Sequence, residues 1–179
     1  MVKAAFLDRD GVINADRDDY VKNTAELAVY PFAPAAIRAL NDDGWLVVVV
    51  SNQQGTAKGI ISEGDLVGIE REISRQVESA GARIAGFYYC RHLSTDNCDC
   101  RKPQPGLLLQ AAREHGINLR QSVMVGDSER DIIAGKAAGC KTILVLTGNL
   151  AREDVEHLSC KPDLIADSLE EAAALIVGS

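Results

Sequence analysis

The chain of 179 residues has no surplus of positive charge, no long apolar run and no low-complexity tract. Nineteen lysines and arginines stand against 26 acids, a formal charge of −7, so no global basic field can wrap nucleic acid or hold an anionic membrane. Any chemistry on phosphates must rest on local groups or on a bound cation. The run from Trp45 to Val50, as long as any apolar run in the chain, falls far short of the roughly 20 residues that span a bilayer. Lys3, Asp8, Arg9 and Asp10 occupy the stretch where a secretory signal would need an apolar core. A soluble, cytoplasmic protein is expected. Gly55 and Gly59 form no dinucleotide fingerprint, and no glycine-rich loop leads into Lys-Ser or Lys-Thr, which removes the usual nucleotide sites. Five cysteines without a signal do not suggest a disulfide framework.

What the chain does have is a regular change of periodicity, from short apolar runs to helical spacing and back. Ala4 to Leu7 reads as a buried strand that stops at Asp8. Pro34 is placed to open a helix carrying Ile37 and Leu40 on one face, and Gly44 to end it. Leu46 to Val50, rich in β-branched residues, predicts a second strand stopping at Ser51. Ser62, with Asp65 three residues on, opens a helix in which Leu66, Ile69, Ile73 and Val77 share a face. A third strand is predicted from about Ile84 to Tyr89, followed by a helix opened by Pro105, with Leu108, Leu109 and Ala112 inward and Gly116 at its end. Val123 to Val125 predicts a fourth strand, and Ser128 a capped helix with Ile132 and Ile133 inward and Gly139 at its end. Thr142 to Leu146 reads as a fifth strand, Asp163 to Ala166 as a short edge strand, and Ser168 as the cap of a last helix.

Apolar strands alternating with helices predict an α/β fold with residues 1–179 as one domain. It would be a Rossmann-like three-layer sandwich, its mainly parallel sheet covered on both faces. The carboxyl ends of such strands share one rim, where ligands bind. Asp8, Ser51, the segment before Lys102 and Asp127 all follow strand ends.

Asp8-Arg9-Asp10-Gly11 puts two carboxylates two positions apart after a strand. A charged turn has the same composition, but such a pair can also hold a hard cation such as Mg²⁺, or divide labour between attack and proton transfer. Gly126-Asp127 with Asp131 forms a second acidic site. Asp127 leaves its strand on the same rim as Asp8, whereas Asp131 also suits a helix start, where an acid complements the dipole. In Ser51-Asn52-Gln53-Gln54-Gly55, a hydroxyl and backbone N–H groups can hold phosphate oxygens. Arg101-Lys102 supplies a planar fork and a point charge. Cys90-x-His92-x5-Cys98-x-Cys100 carries the three thiols and one imidazole of a closed tetrahedral zinc site. With no open position, that metal would be structural, pinning an irregular loop beside Arg101-Lys102. Cys140 reads as a small core residue, and His115 and His157 as surface residues.

Taken in order, Asp8-x-Asp10-Gly11, Ser51, Lys102 and Gly126-Asp127-x3-Asp131 resemble the four motifs of the haloacid dehalogenase superfamily, over about residues 4 to 147. The second acid, Asp10, is similar to that of the phosphatase branch. The intervals from Asp10 to Ser51 and from Ser51 to Lys102 hold no large cap domain, which resembles the capless members. Asp8-Arg9-Asp10-Gly11, Asn52-Gln53, the Cys/His cluster and Cys100-Arg101-Lys102-Pro103 resemble the subfamily of heptose bisphosphate and histidinol phosphate phosphatases. Asn14 through Val21, Gly55 through Gly59, Tyr88-Tyr89-Cys90, Pro105-Gly106 and Thr147-Gly148 look most like the heptose branch. The five-residue spacer from His92 to Cys98 looks like the histidinol branch, and Arg91 stands where heptose enzymes commonly have proline.

The resemblance implies a Mg²⁺-dependent phosphoric monoester hydrolase of carbohydrate metabolism, acting on a precursor of lipopolysaccharide or another cell-surface polysaccharide. Its implied reaction removes the 7-phosphate of heptose 1,7-bisphosphate, with histidinol phosphate as the alternative substrate. It implies Asp8 as the nucleophile that becomes an aspartyl-phosphate, and Asp10 as the general acid and then base. Mg²⁺ would be held by the Asp8 carboxylate, the Asp10 backbone carbonyl and Asp127, and the phosphoryl oxygens by Ser51 and Lys102. Asp16, Tyr20, Asn52, Gln53, Gln54 and Arg101 would meet the rest of the substrate. Zn²⁺ would be held by Cys90, His92, Cys98 and Cys100. The expected partner is a phosphorylated small molecule, with no nucleic acid or membrane, and the expected state is a monomer.

Overall fold

Short apolar runs that must bury both faces can do so only inside a sheet covered on each side. The computed structural model, which describes residues 2–178, has that arrangement. Six strands lie in the order β3-β2-β1-β4-β5-β6, and every neighbouring pair is parallel. They are β1 (Ala4–Leu7), β2 (Leu46–Asn52), β3 (Gly86–Cys90), β4 (Val123–Gly126), β5 (Lys141–Val145) and β6 (Leu164–Ala166). The helices between and after them are α1 (Ala33–Asp42), α2 (Glu63–Ser79), α3 (Gly106–His115), α4 (Glu129–Ala138) and α5 (Leu169–Val177).

Side chains alternate between two apolar layers. Ala5, Leu7, Val47 and Val49 pack with α1, α2 and α5 through Ile37, Ile73 and Ala172. Ala4, Phe6, Val48 and Val50 point the other way, onto Leu107, Leu108 and Ala134 of α3 and α4. The sandwich therefore has the predicted three layers, and β6 is the predicted edge strand.

Three local expectations shift. The third strand starts at Gly86 and runs on to Cys90, because Cys90 is fully buried and pairs in register with Asn52. Helix α3 buries Leu107, Leu108 and Ala111 in place of Leu108, Leu109 and Ala112, and Leu109 is exposed. The run Leu107-Leu108-Leu109-Gln110-Ala111-Ala112 carries the same spacing twice, one residue apart, so periodicity alone fits either face. In α4 Ile132 is buried but Ile133 only half-buried, since Gly135 and Ala134 take the tight contact with the sheet.

The register fixes the site. Leu7 pairs with Val49 on one side and Val125 on the other. Asp8 and Asp127 thus follow β1 and β4. Ser51 lies in the last two residues of β2, which runs on to Asn52 rather than stopping at Ser51, and all three sit within two residues of the same level. Among the described residues, no helix is long and apolar enough to cross a membrane.

Candidate active site

The carboxyl rim holds a cleft of about 530 Å³ lined by Asp8, Asp10, Ser51, Lys102, Asp127 and Asp131. All six residues expected to meet the substrate, Asp16, Tyr20, Asn52, Gln53, Gln54 and Arg101, line it as well.

At its floor lies Lys102, whose side chain is 2% exposed. The ammonium sits 3.1 Å from Asp8 Oδ1 and 2.6 Å from Asp131 Oδ1, and donates to the Val50 carbonyl at 2.9 Å. Burial works against this charge, but Asp131 and Asp8 outweigh it and hold the lysine above its ordinary value. Asn52 splints the lysine's backbone: its Nδ2 donates to the Lys102 carbonyl at 3.0 Å, and its Oδ1 accepts from the Lys102 N–H at 3.0 Å.

One ammonium does not balance the acids around it. Asp8, Asp127 and Asp131 each offer an oxygen within 4.8 Å of the others. Burial, with further repulsion from Asp131 and Asp10, raises the Asp8 carboxyl to about 6 despite Lys102 and the Ser51 hydroxyl. Asp127 is pushed up to about 8, by burial first and then by Asp8 and Asp131. Its carboxylate lies between Gly11 and Gly148, and a Cβ added at either glycine would fall on Asp127 Oδ2. Gly11 also has φ +80°, so the chain turns there in a conformation other residues rarely adopt. Hard oxygen donors, crowded and under-neutralised in a cradle open to the cleft, fit a divalent cation such as Mg²⁺.

Asp131 turns out to serve both readings of its position. It caps α4, accepting from Ser128 N at 3.1 Å and Ser128 Oγ at 2.6 Å, while its other oxygen holds Lys102.

The second cluster lies where β3 ends. Cys90 Sγ is 3.6 Å from His92 Nδ1 and 3.6 Å from Cys98 Sγ; Cys100 Sγ is 3.2 Å from His92 Nδ1 and 3.6 Å from Cys98 Sγ. A tetrahedron with Zn–S of about 2.3 Å has S···S edges of about 3.8 Å, whereas a disulfide needs about 2.05 Å. All five cysteines are free thiols. Cys100 is raised to about 12, by burial first and then by Cys90 and Cys98. Cys98 is lowered to about 7, burial being outweighed by its hydrogen bonds, so the cluster takes up one negative charge more readily than several. The set fits a tetrahedral zinc ion. Arg101 ties this loop to the cleft, its Nη1 donating to the His92 carbonyl at 3.4 Å and its Nη2 to Gln54 Oε1 at 3.3 Å.

The expected substrate contacts differ in how free they are. Gln53 is 2% exposed, and its amide donates to Asp10 Oδ2 at 2.8 Å and Ser51 Oγ at 3.1 Å. Tyr20 has a positive φ of 68°, and its hydroxyl accepts from Gln54 Nε2 at 3.1 Å and Lys58 Nζ at 2.8 Å. As expected, Cys140 is buried and His157 exposed; His115 is half-buried against the Tyr88 hydroxyl at 3.0 Å. Sequence reasoning passed over Arg9, which is fully buried and binds Asp10. An arginine between two acids reads as a solvated charged turn, and no sequence signal marks its burial.

These features recur in known proteins. Residues 99–172 match the HAD-hydrolase-like family model. The D-glycero-beta-D-manno-heptose-1,7-bisphosphate 7-phosphatase of Pseudomonas aeruginosa is 38% identical over 172 residues, covering 96% of each chain. The enzyme of the same name from Pasteurella multocida is 37% identical over 185 residues, covering 99% of this chain and 98% of its own. The crystal structure of D,D-heptose 1,7-bisphosphate phosphatase from B. bronchiseptica, complexed with magnesium and phosphate, superposes with a TM-score of 0.92 at 34% identity, covering 99% of each chain. Similarity that runs the length of both partners, on a capless sheet with its acids on one rim, leaves a single family: the chain belongs to the heptose 1,7-bisphosphate 7-phosphatases of the HAD-like hydrolases.

Proposed function

We propose that the chain removes the 7-phosphate of D-glycero-D-manno-heptose 1,7-bisphosphate, as a cytoplasmic monomer whose partner is this small molecule and neither nucleic acid nor membrane. The observation that carries the reading is the setting of Asp8. Its carboxylate stands 3.1 Å from the Lys102 ammonium at the end of β1, with Ser51 and Asp127 at the ends of the flanking strands.

An Asp8 oxygen attacks phosphorus while the bond from phosphorus to the sugar oxygen breaks, and Asp10 gives its proton to that departing oxygen. Water then attacks phosphorus and loses a proton to Asp10 as the Asp8–phosphorus bond breaks, which releases phosphate and restores both acids. Ser51 and Lys102 hold the phosphoryl oxygens through both displacements. Lys102 also opposes the burial that disfavours the charged form of Asp8, without fully offsetting it. Arg101, Tyr20, Asp16 and Gln54 face the leaving sugar, while Asn52 and Gln53 act on it through Lys102 and Asp10.

Asp8, the Asp10 backbone carbonyl and Asp127 would hold Mg²⁺, which when bound offsets the charge of acids and phosphate together. Cys90, His92, Cys98 and Cys100 would hold a structural Zn²⁺ that keeps the 91–99 loop, and through it Arg101, in place.

Phosphate release in Mg²⁺ from heptose 1,7-bisphosphate, histidinol phosphate, fructose 1,6-bisphosphate and p-nitrophenyl phosphate tests the reading. The heptose bisphosphate is expected to have the highest kcat/KM. A higher value for histidinol phosphate would transfer the assignment to that substrate, which the five-residue spacer between His92 and Cys98 favours. Silence on all four would refute a phosphatase.

A further inference from the structure

Arg9 is the largest side chain in the protein that is wholly removed from solvent. Burying a guanidinium is expensive unless its donors are paired. Here Nε and Nη2 are both directed at one group, while Nη1 is buried without a hydrogen-bond partner among the described residues. Arg9 Nη2 donates to Asp10 Oδ1 at 2.9 Å and to Oδ2 at 3.0 Å, and Nε donates to Oδ1 at 3.2 Å. Asn14 Nδ2 adds a contact to Oδ1 at 2.9 Å. Tyr89 backs the fork, its ring centroid 6.0 Å from the guanidinium carbon.

The two carboxylate oxygens are therefore not equivalent. Oδ1 takes three contacts, all from the wall formed by Arg9 and Asn14. Oδ2 takes two, and the second comes from the Gln53 amide, which also reaches the Ser51 hydroxyl at 3.1 Å. Oδ2 thus lies on the side where the phosphoryl group is expected to sit.

We propose that Arg9, with Gln53, is a positioning residue that anchors Oδ1 of Asp10 and presents Oδ2 as the oxygen that gives and takes the proton. This rests on the reading of Asp10 as the proton carrier given above. A fork suits the task better than a point charge, because it fixes the plane of the carboxylate as well as its place. The requirement is acute in a cleft with no large cap to press the carboxyl into line.

A side chain that served only the fold would matter equally for every substrate, so the test compares leaving groups, and the replacement keeps the charge so that only the fork is lost. Arg9→Lys keeps the charge and loses the fork. It is assayed in Mg²⁺ on heptose 1,7-bisphosphate, whose alkoxide needs a proton, and on p-nitrophenyl phosphate, whose phenolate leaves without one. The first-turnover rate on the sugar is expected to fall about 100-fold, while that on the aryl ester stays within about threefold. Release of p-nitrophenolate should then show a burst of one per site followed by a slow phase, since hydrolysis of the aspartyl-phosphate needs the same Oδ2. Where circular dichroism shows that Arg9→Lys has not folded, Asn14→Ala decides, since it removes an Oδ1 contact and leaves Ser51 and Lys102 untouched, with the same pattern at about tenfold. An unchanged ratio of the two first-turnover rates, with both normal or both lowered together, overturns the proposal. Wild-type protein silent on both substrates would overturn the functional reading, and the proposal with it.

Discussion

Asp8, Asp127 and Asp131 are set by the ends of β1 and β4 and the first turn of α4, whereas of the four zinc-type ligands only Cys90 lies in a strand. Asp8 and Asp127 follow buried strands whose register is fixed by parallel pairing on both sides, and Asp131 lies in the helix that continues from the second of them. His92, Cys98 and Cys100 stand on a partly exposed segment with no regular structure between Cys90 and Gly106. A cation among the acids would therefore relieve repulsion in a scaffold set by the sheet. A cation among the thiols would instead cross-link a loop that has no regular structure of its own. The first should govern chemistry and the second geometry at a distance.

The sharpest break of this comparison is at Asp8. Asp8→Asn removes the attacking oxygen while keeping the shape, and turnover is expected to fall by about 10⁴ or more with no labelled phosphoenzyme on denaturing gels. Normal turnover would refute the covalent route. Cys98→Ser should do the converse. Elemental analysis is expected to find near one zinc per wild-type chain and none in the variant. Limited proteolysis should then cut the 91–99 loop, while kcat/KM on the sugar phosphate falls about tenfold through Arg101. An ordered, fully active, zinc-free variant would remove the loop's proposed dependence on metal.

The smallest expected effect is a pH slope. Asp8 near 6 and Asp127 near 8 both lie above the usual 3.8, because burial and neighbouring acids disfavour their charged forms. Between those values the folded chain binds more protons than the unfolded one, so stability is lost as pH rises through the window. In EDTA the Tm is expected to drop on the order of 5 °C from pH 5 to pH 8, and saturating Mg²⁺ should flatten the slope. A flat profile in EDTA would mean that the three acids are already balanced.

Much of this was legible in the sequence because the site is built at strand ends. Apolar runs stopping at Asp8, Ser51 and Asp127 mark both the sheet and its rim, and the thiol–imidazole spacing marks the second cluster. What stayed illegible depends on side-chain direction. Gln53 is buried against Asp10 while its neighbour Gln54 reaches across the cleft to Tyr20 and Arg101, a difference in direction that composition does not carry. Asn52 lines the cleft, and its amide also splints the backbone of Lys102, fifty residues away in sequence, a contact no local pattern announces. Arg9 is hidden for a similar reason: an arginine beside two acids looks solvated until the fold closes over it.

The bare backbone of Gly11 and Gly148 around Asp127 has a consequence for how this activity is lost. Every acid can remain in place while a single added methyl shoulders one of them aside. Disabling such a centre takes no change in its charged groups, only a filled space where two loops were built to have none. Inspecting the reactive side chains alone would therefore pass as intact some sequences that no longer work.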